Sequence, residues 1–406
     1  MLGPSDSPPR GHPPLSEAGV TMLSNAVMPD QLGGLQRYVR ELSSALAARG
    51  VPVTIVAKRV SDASAARERF ADGVQIKRFG VPERRSQLYA AGYPIASVAA
   101  AARAVSSAPG LIHVHYPLAG IAAATTPRRY VHTFHAPIHR ELMPERRYAL
   151  PRTLQRPLVA SARLAEVLVG RRAARSIVLT EYMRGELRRL APAAARRASL
   201  IPAGLDSAFF TPGPPIDHPA ARGAGPLLFT ARRLVSRTGV CELIEAMPRI
   251  LAQAPGLRLA IAGDGQLQDE ARQLVARLSL RDSVFVLGRV SDVELRGWYR
   301  AASLFVLPSQ QLEGFGMSTV EALACGTPAL GTPAGGTPEV LGSLDRRLIT
   351  DGSTAADLAS GILDLVRPHG LLESLAQRAR SHVVPAMCWS TVADQHLELY
   401  ERVFAN

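Results

Sequence analysis

The chain has 406 residues, 47% hydrophobic and 20% charged, and its formal net charge of +13 comes almost wholly from arginine, since Lys58 and Lys77 are the only lysines. That length exceeds one ordinary core and predicts two domains of roughly 200 residues each. No apolar run reaches the ~20 residues of a membrane span, no helix-turn-helix, RNA-recognition or zinc pattern marks a nucleic-acid partner, and Cys241, Cys325 and Cys388 stand too far apart for a disulfide framework or metal cluster, which points to a reducing, cytoplasmic compartment.

Residues 1–18 are rich in Pro, Ser and Gly without the apolar core of a signal peptide, and read as a disordered leader. A strand over 20–23 leads into a loop holding Gly33-Gly34, then a helix with Tyr38, Val39, Leu42 and Leu46 on one face, then a strand over 53–57. Strand, glycine turn and helix in this order open a Rossmann-like half. Strands over 111–115 and 130–135 both end in histidine, at His115 and His135. Histidines in such positions are more often structural than catalytic, and His113, His132 and His139 lack the fixed helical spacing of a zinc site. Arg163, Arg171, Arg172 and Arg175 flank an apolar stretch over 164–169. A solvated helix face is the first reading of this pattern, and a basic face for an anionic membrane the second.

After a strand over 176–180 and the turn Ile201-Pro-Ala-Gly204-Leu-Asp206, the Pro- and Gly-rich residues 211–226 read as a linker. The expected division is therefore 19–210, 211–226, 227–384, and a terminal amphipathic helix within 385–406 carrying Val392, His396, Leu399 and Val403 at helical spacing. Strands are expected over 227–230, 257–262, 284–287 and 304–307. The last is followed by Glu313-Gly-Phe-Gly-Met-Ser-Thr-Val-Glu321-Ala-Leu-Ala-Cys-Gly326-Thr-Pro. This reads as strand, loop, helix over 317–324, and a further strand at 329–330. Gly314 and Gly316 leave backbone N–H groups accessible beside a positive helix end, framed by the carboxylates of Glu313 and Glu321.

The Glu313-to-Glu321 spacing, with Gly314-Phe315-Gly316 and the Gly326-Thr-Pro stop, resembles the Glu-x7-Glu signature of family 4 glycosyltransferases, retaining enzymes that use nucleotide sugars. The resemblance implies an α/β GT-B fold, two Rossmann-like domains facing a central cleft, with the C-terminal helix crossing back to the first domain. It implies that Gly33 and Gly34 approach the donor diphosphate and that His135 orients the donor sugar. Arg233 would meet the diphosphate and Gly263 would shape a glycine loop beside it. Backbone at Arg289 and Val290 would meet the base. Glu321 would accept from the ribose, and Glu313, aided by N–H groups of Gly314, Phe315 and Gly316 and the helix start at Met317, would hold the sugar.

One position departs from the family pattern. The family pairs its arginine with a lysine five residues on, and here that position is Thr238. Either Arg237 replaces the lysine, or the site works with one cation, or the chain is a noncatalytic nucleotide-sugar binder. A threonine hydroxyl donates but carries no charge, and an arginine fork is not a lysine's point charge. Without an Asp-x-Asp, no metal and no cofactor are expected. A glycosidase pair at Glu313 and Glu321 is disfavoured because both sit in one donor-type loop, and a phosphorylase lacks its late lysine. The expected reaction is transfer from UDP-sugar, or GDP-sugar, to a small soluble acceptor such as a secondary or thiol metabolite, held by loops 25–37, 79–95 and 136–150. A lipid acceptor at a membrane surface is the alternative. The oligomeric state is left open.

Overall fold

The structure is a computed structural model and describes residues 14–405 apart from 32, 62–63, 83–88, 142–151 and 224. Two sheets organise it. The first has eight strands: β1 (Val20–Leu23), β2 (Val53–Lys58), β3 (Arg67–Arg69), β4 (Gln75–Phe79), β5 (Leu111–Val114), β6 (Tyr130–Phe134), β7 (Arg175–Val178) and β8 (Ala198–Leu200). Their spatial order is β3-β4-β2-β1-β5-β6-β7-β8. The second has five: β9 (Leu227–Ala231), β10 (Arg258–Ala262), β11 (Val284–Gly288), β12 (Leu304–Leu307) and β13 (Ala329–Gly331), in the order β11-β10-β9-β12-β13. All pairings are parallel except β3 with β4. Val20–Leu23 and Leu304–Leu307 are buried at every residue, the second as an uninterrupted apolar run, as suits central strands of a sheet covered on both faces.

Both sheets reverse strand order once. In the first, the chain runs outward from β1 to β2 and restarts beyond β1 at β5. In the second it runs from β9 to β10 and β11, then restarts at β12. A crevice opens at the carboxyl ends of strands flanking such a reversal. Gly33-Gly34 and His115 follow β1 and β5, while Arg232 and Ser309 follow β9 and β12.

The terminal helix Trp389–Phe404 returns to the first sheet. Tyr38 Oη lies 2.9 Å from His396 Nε2, and Tyr400 Oη lies 2.6 Å from His113 Nδ1. Gly204 makes room for this crossing, because a Cβ there would come within 2.3 Å of the Trp389 ring. One expectation needs correction. Residues 1–13 lie outside the described residues, but Leu15–Ala18 is a helical turn with Leu15 and Ala18 buried, so part of the stretch expected to be disordered is ordered. The hairpin β3–β4 and strand β8 were also not foreseen. β3 is charged and wholly exposed, and the outer strands of a sheet do not need the apolar run that marks a central one.

Candidate active site

The two crevices face each other, and the residues at their mouths touch. His135, one residue beyond β6, has its Nε2 3.1 Å from Nδ1 of His115 and packs edge-on against Tyr38, with ring centroids 4.8 Å apart. Burial pushes His135 down to about 3 and His115 well below its ordinary value, and the neighbouring histidines act in the same direction. Both rings are therefore neutral near pH 7 and can exchange hydrogen bonds without a buried charge.

Across the cleft, Glu313 is held rather than free. Its Oε2 accepts from Arg232 Nη2 at 3.0 Å and from Ser309 Oγ at 2.7 Å. The same Arg232 nitrogen donates to Ser309 Oγ at 2.8 Å. Arg232 follows β9, and Ser309 and Glu313 follow β12, so the clamp spans the strand reversal. Gly263 permits it: at φ 134° a Cβ would stand 1.8 Å from the Arg232 carbonyl oxygen, which only glycine avoids.

Glu321 is buried in the helix Met317–Ala324. Its Oε2 accepts from Tyr299 Oη at 2.9 Å, and its Oε1 faces Arg37 Nε at 3.8 Å. Arg37 also donates to Asp292 Oδ1 at 2.5 Å. Burial raises the Glu321 carboxyl, while Arg37 and Tyr299 hold it down. Arg37 belongs to the helix Gly34–Ala47, so this cluster joins the two halves. Further joins are Thr180 Oγ1 donating to the Gly314 carbonyl at 2.9 Å and Glu339 accepting from the amides of Glu181 and Tyr182 at 2.6 and 2.7 Å.

The structure brings most of the expected residues together. A Cβ on Gly314 would lie 2.9 Å from the His135 carbonyl oxygen, and one on Gly34 would lie 3.9 Å from Met317 Sδ. Gly33 precedes the helix beside Gly34. Gly316 begins the Met317 helix at φ 81°, a left-handed turn that favours glycine. The Phe315 ring is buried, leaving only its backbone for a ligand. Arg233 is half-buried in the same loop as Arg232; Arg289 is exposed and Val290 half-buried.

Thr238 and Arg237 differ from expectation. Thr238 is buried, and its hydroxyl bonds to the carbonyls of Arg233 at 2.9 Å and Val235 at 2.6 Å. It closes the loop from within and has no proton left for a diphosphate, which corrects its expected role. Arg237 Nη2 donates to Glu141 Oε1 at 2.9 Å, across the cleft, so the cation expected to replace the lysine already has a carboxylate. Sequence reasoning missed Arg232, Ser309, Arg37, Tyr299, His115 and Glu141 as parts of the site. Arg232 was hidden by its neighbour Arg233. Of the loops expected to hold an acceptor, residues 32, 83–88 and 142–150 lie outside the described residues.

Comparison with known proteins bears on this arrangement. The model described as Glycosyltransferase Family 4 matches residues 32–209, and that described as Glycosyl transferases group 1 matches residues 217–382. The D-inositol 3-phosphate glycosyltransferase of Pseudarthrobacter chlorophenolicus is 32% identical over 347 residues, covering 80% of each chain. The chain belongs to glycosyltransferase family 4. It is also similar, at 29% identity over 54% of this chain and 60% of the other, to the GDP-mannose-dependent monoacylated alpha-(1-6)-phosphatidylinositol monomannoside mannosyltransferase of Corynebacterium glutamicum. Among solved structures, sucrose-phosphate synthase of Thermosynechococcus elongatus superposes with a TM-score of 0.79 at 23% identity, covering 95% of this chain and 99% of that one. The fold is thus the GT-B fold, and the chain is a glycosyltransferase. Within the described residues, no helix is long and apolar enough to cross a membrane.

Proposed function

We propose that this family 4 enzyme transfers a sugar from a nucleoside-diphosphate sugar to a small polar acceptor with retention at the anomeric carbon. The observation that carries the reading is the convergence of Glu313, Glu321, Gly34 and His135 from both halves on one cleft. Glu321 takes the ribose hydroxyls, and Glu313, fixed through Oε2, offers its other oxygen to the sugar. Neutral His135 orients the sugar by hydrogen bonding and needs no positive charge to do so. The acceptor oxygen forms its bond to the anomeric carbon on the face from which the phosphate leaves. The carbon–phosphate-oxygen bond breaks, and the acceptor proton passes to the departing phosphate oxygen. Arginine side chains and amide dipoles stabilise the charge that develops there, without metal.

UDP and GDP are the two donor bases to weigh, the latter favoured by the mannosyltransferase relative. The inositol-phosphate relative supports a small phosphorylated polyol as acceptor class. Purified chain should be incubated with UDP- and GDP-sugars against inositol 3-phosphate, other small polar acceptors and a lipid-linked polyol, and products read by mass spectrometry. A product heavier than a soluble acceptor by one glycosyl residue is expected. Transfer only to the lipid would replace the acceptor part of this reading, and no transfer from any donor would remove the rest.

A further inference from the structure

Arg232 is a charged side chain buried without enough partners. It keeps 7% side-chain exposure. Nη2 is used by Ser309 and Glu313, but Nε and Nη1 are buried and have no hydrogen-bond partner. A buried guanidinium with two unpartnered nitrogens is costly and calls for an explanation, of which a ligand or catalytic role is one. The location fits a ligand, because Arg232 stands at the strand reversal of the second sheet, where the carboxyl ends of β9 and β12 meet. Arg233 and Arg237 lie within electrostatic range of Arg232, and Glu313 opposes its charge directly. Arg237 is paired with Glu141, and Thr238 is turned into its own loop.

We infer that Arg232 is a further donor-binding residue whose unpartnered Nη1 takes an anionic oxygen of the nucleoside diphosphate, supplying the charge that Thr238 lacks. This rests on the nucleotide-sugar reading above. One guanidinium then serves two parts of the donor. Its Nη2 fixes the sugar-holding carboxylate, and its Nη1 meets the phosphates. The planar fork of arginine allows this division, and a lysine ammonium does not.

The test separates these two duties by using a ligand without a sugar. The full chain is titrated calorimetrically with UDP, UMP, GDP and GMP, in wild type, Arg232→Gln and Arg232→Lys. Wild type should prefer the diphosphate of its base over the monophosphate. Arg232→Gln should weaken diphosphate binding by about 10- to 100-fold, the range for a hydrogen bond to a charged group, while changing monophosphate binding by less than about threefold. Arg232→Lys, which keeps charge and most of the volume, should recover part of the loss and guards against misfolding of the glutamine variant. Unchanged diphosphate affinity in both variants, with only the intact nucleotide sugar bound less well, would show that Arg232 serves Glu313 alone and would overturn the inference while leaving the proposed function standing. Wild type that binds no nucleoside diphosphate would overturn both.

Discussion

Arg37 and Glu321 face each other 3.8 Å apart across the cleft, with Arg37 also bonded to Asp292 and Glu321 to Tyr299. An arginine of the first half thus lies over the carboxylate assigned to the ribose in the second. The proposed donor pocket and the contact between the halves share one ionic cluster.

Removing the arginine should therefore affect both. Arg37→Ala leaves Glu321 buried with Tyr299 Oη still donating to it, and is expected to cost about 3 kcal/mol of stability. It should also raise KM for the nucleotide sugar by tenfold or more. Arg37→Lys should restore part of the stability. Urea denaturation and initial-rate kinetics measure the two effects.

The loop at Thr238 gives the opposite kind of prediction. Its hydroxyl closes the loop onto the carbonyls of Arg233 and Val235. Installing the lysine of the family pattern, Thr238→Lys, should destabilise the chain by roughly 1–3 kcal/mol and bring no gain in turnover, whereas Thr238→Ser should stay within about 1 kcal/mol. A faster Thr238→Lys enzyme of unchanged stability would show that the side chain reaches the donor.

His135 is expected to matter to chemistry more than to folding. His135→Ala should lower kcat/KM by about 100-fold, in the range for removing one well-placed hydrogen-bonding group, while the diphosphate alone still binds. Equal loss of diphosphate binding would mean that the ring supports the pocket walls instead. Rate measurements paired with nucleotide titrations distinguish the two.

The buried histidines also predict an acid limb of stability. Burial pushes His132 down to about 4 and His396 to about 4, from an ordinary 6.5. Between those values the unfolded chain binds the extra proton, so stability is full above about 6.5 and is lost as pH falls. Glu41, pushed up to about 7 by burial, works with the opposite sign. Comparison of wild type with His132→Met cancels the carboxylates. The stability difference should change by about 1.4 kcal/mol per pH unit between roughly 6.5 and 4, with the variant losing less on acidification. A difference independent of pH would contradict the assignment.

Much of this site was legible in the sequence because its parts are local. β12, the Gly314–Gly316 loop and the Met317–Ala324 helix follow from an apolar run, glycines and a Gly-Thr-Pro stop in one stretch. The same holds for the strand ends at His115 and His135. What escaped was pairing over long sequence distance. Glu313 and Arg232 are 81 residues apart and Arg37 and Asp292 are 255 apart. No periodicity records such contacts. Thr238 was misread for a related reason: the one-dimensional pattern gives its place in the loop but not the direction of its side chain.

The central claim is that the Glu313-to-Glu321 stretch is the donor half of a nucleotide-sugar site. Calorimetric titration of UDP and GDP into wild type and Glu321→Ala tests it most directly. The account predicts saturable one-to-one binding of at least one of them, weakened tenfold or more by Glu321→Ala while its ribose-lacking counterpart, inorganic pyrophosphate, is affected far less. Binding unaffected by Glu321→Ala, or no binding of either nucleotide to wild type, would contradict it.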